Sequence, residues 1–152
     1  MEPLIRKIIL ATDFSEASRD ASYHALLLTQ TYNAELKALH VFEPRPLGIL
    51  YSKPKKEGQI QEDFQKTRQR GKDMLKELAD SFNVKADTIF VEGHAGPEII
   101  RIATELNTDL LVVGTHGYTG WNRLTIGSVA EFVVRHAPCA VLTIKPTNRD
   151  EK

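Results

Sequence analysis

The chain has 152 residues, of which 26% are charged, with 20 basic and 20 acidic side chains giving a net charge of zero. That length suits one domain, able to bury about 70% of the surface its unfolded chain exposes, without disulfides or a structural metal. Balanced charge excludes capture of DNA or RNA by a broad basic excess, and no apolar run reaches the length of a membrane span. A single cysteine, Cys139, excludes an internal disulfide and fits a reducing compartment. The start Met-Glu-Pro lacks a long apolar core, so no signal peptide is expected and the expected setting is the cytoplasm.

Residues 4–12 read as a first strand whose second half is apolar on both faces, the mark of a sheet covered on both sides. A helix follows through residue 33, with Ser15 as N-cap, Glu16 favourable in the first turn, and a stripe of Ala17, Ala21, Ala25, Leu28 and Tyr32. Residues 35–42 make a second strand. Residues 43–58 carry Pro44, Pro46, Pro54, Lys53, Lys55 and Lys56, and their length predicts a mobile flap. From 59 to about 82 the pattern is helical and charged, with Phe64, Met74, Leu75 and Leu78 as core candidates and Gly71 as a weak point. A third strand spans 86–92. The next helix opens at Gly96-Pro97-Glu98, with Pro97 suited to its first position, and runs to Leu106. Its predicted buried face is Ile99, Ile100, Ala103 and Leu106. A fourth strand at 109–113, a helix at about 127–135 and a fifth strand at 139–144 complete a domain of residues 1–146. A polar tail, 147–152, is expected to fray.

Strands alternating with helices predict an α/β fold, a parallel sheet with helices on both faces and right-handed crossovers. Ligands in such sheets bind beyond the carboxyl ends of the strands, where the chain reverses direction. Two loops lie at such ends: ATDFS after the first strand, and GTHGYTGWNRLTIGS, 114–128, after the fourth.

The second loop holds Gly114, Gly117, Gly120 and Gly127, four of the nine glycines, yet matches neither the Walker lysine motif nor G-x-G-x-x-G. Glycines let amides approach a ligand, and inward amides form an anion-binding concavity. Gly127-Ser128 opens a helix whose unpaired N–H groups and dipole attract negative charge, and Ser128 adds a hydroxyl. The two readings, a phosphate cradle and glycines that serve turn geometry alone, stand even on these residues.

The spacing Gly114-x2-Gly117-x9-Gly127-Ser128 resembles the ATP-binding motif of the universal stress protein family. KIILATDFSEAS, ALHVF, GPEIIRIATELNTDLLVVGTHG and GSVAEFVVRHAPCAVLTIKP resemble further segments of that family, in the same order. The resemblance implies a five-stranded parallel sheet in the order 3-2-1-4-5, similar to the adenine nucleotide α-hydrolase-like proteins. It also implies ATP, or ADP or AMP, as ligand, with Mg2+ as a companion. Carried over by position, Ala11, Thr12 and Asp13 line the nucleoside side. Val41 meets the adenine through its main chain, and Val113 and Gly114 floor the pocket. Thr115 and His116 join the site, while Gly117, Gly127, Ser128 and Val129 hold phosphates. Tyr118 stands where the family often has a basic residue, and Arg123 or a flap lysine is the candidate replacement.

Asp13 has two readings, a ligand for ribose or magnesium and a turn-forming aspartate. His116 either donates to a phosphate or orders the loop, and Trp121 is expected to pack beneath it. His24, His40, His94 and His136 lack zinc-ligand spacing, and His40 is expected to pack along the second strand. Cys139 is expected to be a small buried hydrophobe. The last strand, AVLTI, would lie at a sheet edge with no internal charge or proline. A twofold dimer pairing Ala140–Ile144 with its copy is expected, in keeping with the family. The expected function is an adenine-nucleotide-binding regulatory protein of the stress response, dimeric and read by an unidentified protein partner. The alternatives are a slow ATP hydrolase or autophosphorylating enzyme using Asp13 and His116, and a nucleotide-free dimerisation scaffold. No set of base, metal ligands and arginine finger is visible, so efficient turnover is not expected.

Overall fold

The computed structural model describes residue 2 and residues 4–44, 56–115 and 126–147. The strands are β1 (Lys7–Ala11), β2 (Glu35–Phe42), β3 (Ala86–Glu92), β4 (Leu110–Gly114) and β5 (Ala140–Ile144). The helices are α1 (Glu16–Tyr32), α2 (Glu57–Asp80), α3 (Ala95–Glu105) and α4 (Ser128–His136). The strands pair in parallel in the order β3-β2-β1-β4-β5, the order expected.

Apolar residues on both faces of the central strands decide this arrangement. Alternate side chains of β1 enter two cores. Ile9 and Ala11 join Leu39, Leu111 and Val113 beneath α3 and α4, with Ile99, Ala103, Ala130 and Val133. Ile8 and Leu10 join Leu36, Leu110 and Val112 beneath α1, with Ala21 and Ala25. Helix α2 covers the same face as α1, over β2 and β3. Among the described residues, no helix is long and apolar enough to cross a membrane.

Ser15 caps α1, accepting at Oγ from Ser18 N at 3.3 Å. Ala17, Ala21 and Ala25 are buried as expected, Leu28 is half-buried, and Tyr32 is exposed because the helix ends there. In α2 only Leu75 of the four core candidates is fully buried; Phe64, Met74 and Leu78 lie at the margin of the core. Gly71 is not a weak point. It is buried where α2 settles on the sheet, and a Cβ there would stand 3.1 Å from Phe90 Cε2. In α3, Ile102 joins the buried face alongside Ile99 and Ala103, while Ile100 and Leu106 are half-buried.

The chain after β5 is anchored rather than frayed at its start. The buried carboxylate of Asp20 accepts from Thr147 N and Thr147 Oγ1, each at 2.9 Å. Residues 148–152 lie outside the described residues, as do 45–55 of the expected flap.

Leu111 sits fully buried in the strand between β1 and β5. Leu111→Ala is expected to lower stability by about 2–5 kcal/mol in urea unfolding. Leu27→Ala, at an exposed position of α1, is expected to stay within about 0.5 kcal/mol of the parent.

Candidate functional site

Strands β1 and β4 are neighbours, and their connections leave toward opposite faces of the sheet, to α1 and α4 respectively. Their ladder ends at Leu10↔Val112, and beyond that pair the strands part. This is the crevice where open parallel sheets hold ligands. Ala11, Thr12, Asp13, Val113, Gly114 and Thr115 stand at its two lips, with Val41 on the neighbouring strand β2.

The β1 lip is a turn closed by its own side chains. Thr12 Oγ1 is buried, donates to Ser18 Oγ at 3.2 Å and accepts from Phe14 N at 3.0 Å. Asp13 Oδ1 accepts from Ser15 N at 2.9 Å, the local geometry of a turn aspartate, while its side chain stays exposed. Phe14 adopts φ 63°, a left-handed conformation rare for a bulky residue. Ala11 is buried among the α3–α4 core residues, so only its main chain faces the crevice.

On β2, Leu39 O accepts from Thr12 N at 2.9 Å, and Phe42 O accepts from Gly93 N at 3.1 Å. Main-chain groups of a strand alternate between its two neighbours. Val41 therefore turns its N–H and C=O toward β1, past the last registered pair, Ala11↔Leu39. His40, on the opposite face from Val41, does more than pack. Its Nδ1 donates to Thr12 O at 2.8 Å, and its ring lies 4.5 Å from Phe14 and 5.7 Å from Phe90, centre to centre.

On the β4 lip, Val113 faces the α3–α4 core. Gly114 answers a packing need: a Cβ would stand 2.8 Å from the main chain of Ala17 and Ser18, so a side chain there would push α1 off the sheet. Thr115 is buried and its N–H donates to Ile144 O at 2.9 Å. The Gly127 amide, expected to face phosphate, instead donates to Thr115 O at 2.6 Å. Gly127 has φ −61° and ψ 155°, which any residue adopts, so its conformation does not demand glycine. Among the described residues, the donors without a partner begin one residue later. Ser128, Val129 and Ala130 precede the first intrahelical bond, Glu131 N to Gly127 O at 3.0 Å. The Ser128 and Val129 side chains are exposed.

The starts of α1 and α3 are closed internally, whereas α2 begins at Lys56 with no side-chain cap. Ser15 caps α1, and the Glu43 carboxylate accepts from Ala95 N at 2.6 Å at the start of α3. Helix α4 begins at Gly127, which has no capping side chain. His116, Gly117 and Arg123 lie outside the described residues, as do Tyr118, Trp121, Lys53 and Lys55. Among the described residues no three His, Cys, Asp or Glu side chains cluster to hold a metal ion. Burial pushes the Cys139 thiol up, and it is half-buried behind β4 rather than part of the crevice.

Phe14, His40 and Glu43 are site-forming residues that the sequence pattern missed. A left-handed phenylalanine and bonds made across 28 and 52 residues leave no local periodicity to find.

The open parallel sheet, covered by helices on both faces and reversing direction between β1 and β4, defines a doubly wound α/β domain. The model of the universal stress protein family matches residues 4–145, and the chain belongs to that family. The universal stress protein MJ0531 of Methanocaldococcus jannaschii is 34% identical over 98% of this chain and 87% of its own. The solved structure of MJ0577, from the same organism, is 27% identical and matches with TM-score 0.80 over 95% of this chain and 99% of that one. A family protein from Arabidopsis thaliana, solved with AMP bound, is 21% identical with TM-score 0.60 over 97% of this chain and 96% of that one.

Burial lowers the His40 pKa below the usual imidazole value, against the Thr12 carbonyl and the Asp13 charge, which both raise it. The folded protein thus binds fewer protons at His40 than the unfolded chain between that lowered value and about 6.5. The His40 contribution to stability is full above about pH 6.5 and is lost as pH falls through the window below. Urea midpoints measured from about pH 7.5 down to pH 5 are expected to fall in the parent and to fall less steeply in His40→Phe.

Proposed function

We propose that this universal stress protein binds an adenine nucleotide, with ATP the principal ligand, and acts as a ligand-controlled regulatory dimer. The carrying observation is the pair of main-chain sets that flank β1. Val41 offers a donor and an acceptor on β2, and the first turn of α4 offers N–H groups just past β4. Two strand spacings separate β2 from β4, about 10 Å, which suits a nucleoside at one end and its phosphates at the other. Phosphate at the start of α4 gains both hydrogen bonds and the helix dipole.

In this reading Thr12 and Asp13 border the ribose, Val113 and Gly114 form the floor, and Ser128 and Val129 amides meet phosphate. Thr115 holds the loop base through its carbonyl, and Gly127 leaves the space above α4 free of a side chain. Gly117, His116 and Arg123 complete the phosphate end. A magnesium ion carried by ATP would take its oxygens from phosphate, water and the exposed Asp13 carboxylate. The nucleotide is a bound signal, and its control over a protein partner requires different affinities for two states of the protein.

Titration calorimetry with ATP, ADP and AMP tests this. Binding at or below about millimolar concentration is expected, and no heat with no thermal shift at that level leaves only the scaffold reading. Ser128→Pro removes one amide and the hydroxyl while keeping a residue suited to the first helical position. It is expected to weaken ATP about tenfold while leaving adenosine unchanged. Many ATP turnovers per site, lost on Asp13→Ala, would replace this reading with that of a hydrolase.

Strand β5 supports the dimer. Among the described residues it pairs only with β4, Ala140 is exposed, and Val141, Leu142 and Thr143 are half-buried. A second copy paired along Ala140–Ile144 would cover that edge. Sedimentation is expected to show a dimer that Leu142→Lys weakens, and a monomer at physiological concentration rules the pairing out.

A further inference from the structure

The ladder between β1 and β2 stops at Ala11↔Leu39, where β1 ends, while β2 runs on through Val41 to Phe42. After Thr12 N to Leu39 O, the next rungs of a parallel ladder would be Val41 N–H to Thr12 C=O and Phe14 N–H to Val41 C=O. Neither rung forms. Thr12 O takes its hydrogen bond from His40 Nδ1 at 2.8 Å. Phe14 N–H donates to Thr12 Oγ1 at 3.0 Å. Two side chains thus stand in for both halves of the Val41 peptide pairing.

The ring that does this is held on every side. Its acceptor is a carbonyl, so Nδ1 must carry the hydrogen, which selects one neutral tautomer. Phe14 lies against one side and Phe90 against another. Gly71 of α2 brings its backbone so close that a Cβ would stand 3.7 Å from His40 Cδ2 and Nε2. An imidazole fixed in this way has one thing to offer the crevice, a proton on Thr12 O.

We infer that His40 is a positioning residue that ends the β1–β2 ladder early and so delivers the Val41 N–H and C=O, as a donor beside an acceptor, to the base of a bound nucleotide. The inference rests on the nucleotide reading above, in which adenine at Val41 is already what the family resemblance implies, and what it adds is the role of His40. Adenine sets an amino donor beside an acceptor ring nitrogen, the complement of the Val41 pair. Guanine sets a carbonyl where adenine has the amino group, so it would oppose acceptor to acceptor at Val41 C=O. Adenine is therefore the base this edge selects.

His40→Phe keeps an aromatic ring and loses the donor. His40→Asn keeps a side-chain N–H near the position of Nδ1. In nucleotide-free protein, the Val41 amide is expected to exchange with solvent quickly in the parent and in His40→Asn. In His40→Phe it is expected to become protected about tenfold or more, because it then closes onto Thr12 O. ATP affinity is expected to fall about tenfold in His40→Phe and to recover in His40→Asn, with ATP favoured over GTP about tenfold in the parent. Imidazole 15N shifts of the parent are expected to show the Nδ1–H tautomer. A protected Val41 amide in the parent, an Nε2–H tautomer, or undiminished ATP binding by folded His40→Phe overturns the inference. Should the parent bind no adenine nucleotide, the functional reading falls, and amide exchange still decides whether His40 ends the ladder.

Discussion

Strand β1 is hydrogen-bonded on both sides, and the two ladders finish at different heights: Leu10↔Val112 toward β4, Ala11↔Leu39 toward β2. The chain then has to leave the middle of the sheet and enter α1 within four residues, Thr12 to Ser15, beside tightly packed neighbours. Polar backbone in such a place must find partners, since an unpaired buried group costs about 1–3 kcal/mol. Thr12, Asp13, Ser15, Ser18 and His40 supply them. The left-handed Phe14 costs about 1–3 kcal/mol and is tolerated because its ring has a place against His40. The turn is therefore a small polar structure seated on aromatic packing, and its shape follows from where β1 stops.

Helix starts at the same edge show how charge is apportioned. Helix α3 has its amide end neutralised by Glu43, a residue of the chain leaving β2. Helix α1 is satisfied by Ser15. Helix α4 starts from a residue with no side chain, and among the described residues no side chain caps its positive end. A net charge of zero is compatible with local attraction for an anion because that attraction comes from oriented peptides rather than from lysine and arginine.

Much of the fold was legible because its causes are local. The doubly apolar strands, the Ser15 cap and the alternation of elements led to a parallel α/β sheet, the family resemblance implied the strand order that the structure shows, and the bounds of β2 and β3 were read to the residue. Loop ends at the carboxyl edge were legible for the same reason, the resemblance added Val41, and Thr12 and Asp13 do follow β1 between Val41 on β2 and Val113 on β4. Long-range pairings were not. Asp20 meets Thr147 across 127 positions, and His40 meets Thr12 across 28. Gly71 and Gly114 looked like flexibility or ligand room, because only the assembled structure reveals a helix resting on each. The Gly127 amide looked free for the same reason, since its partner, Thr115 O, sits at the far end of the loop.

That last hydrogen bond, with the Thr115 amide fastened in turn to Ile144 O, draws the two ends of the segment 116–126 together at its base. With its two ends held in this fashion, the connection need not keep one length. Its length can change at an entropic cost of about 0.6 kcal/mol per doubling, while the sheet edge below and the helix behind keep their places. Evolution can thus rewrite what this protein touches by inserting or deleting residues in one stretch, with no need to redesign the domain that carries it.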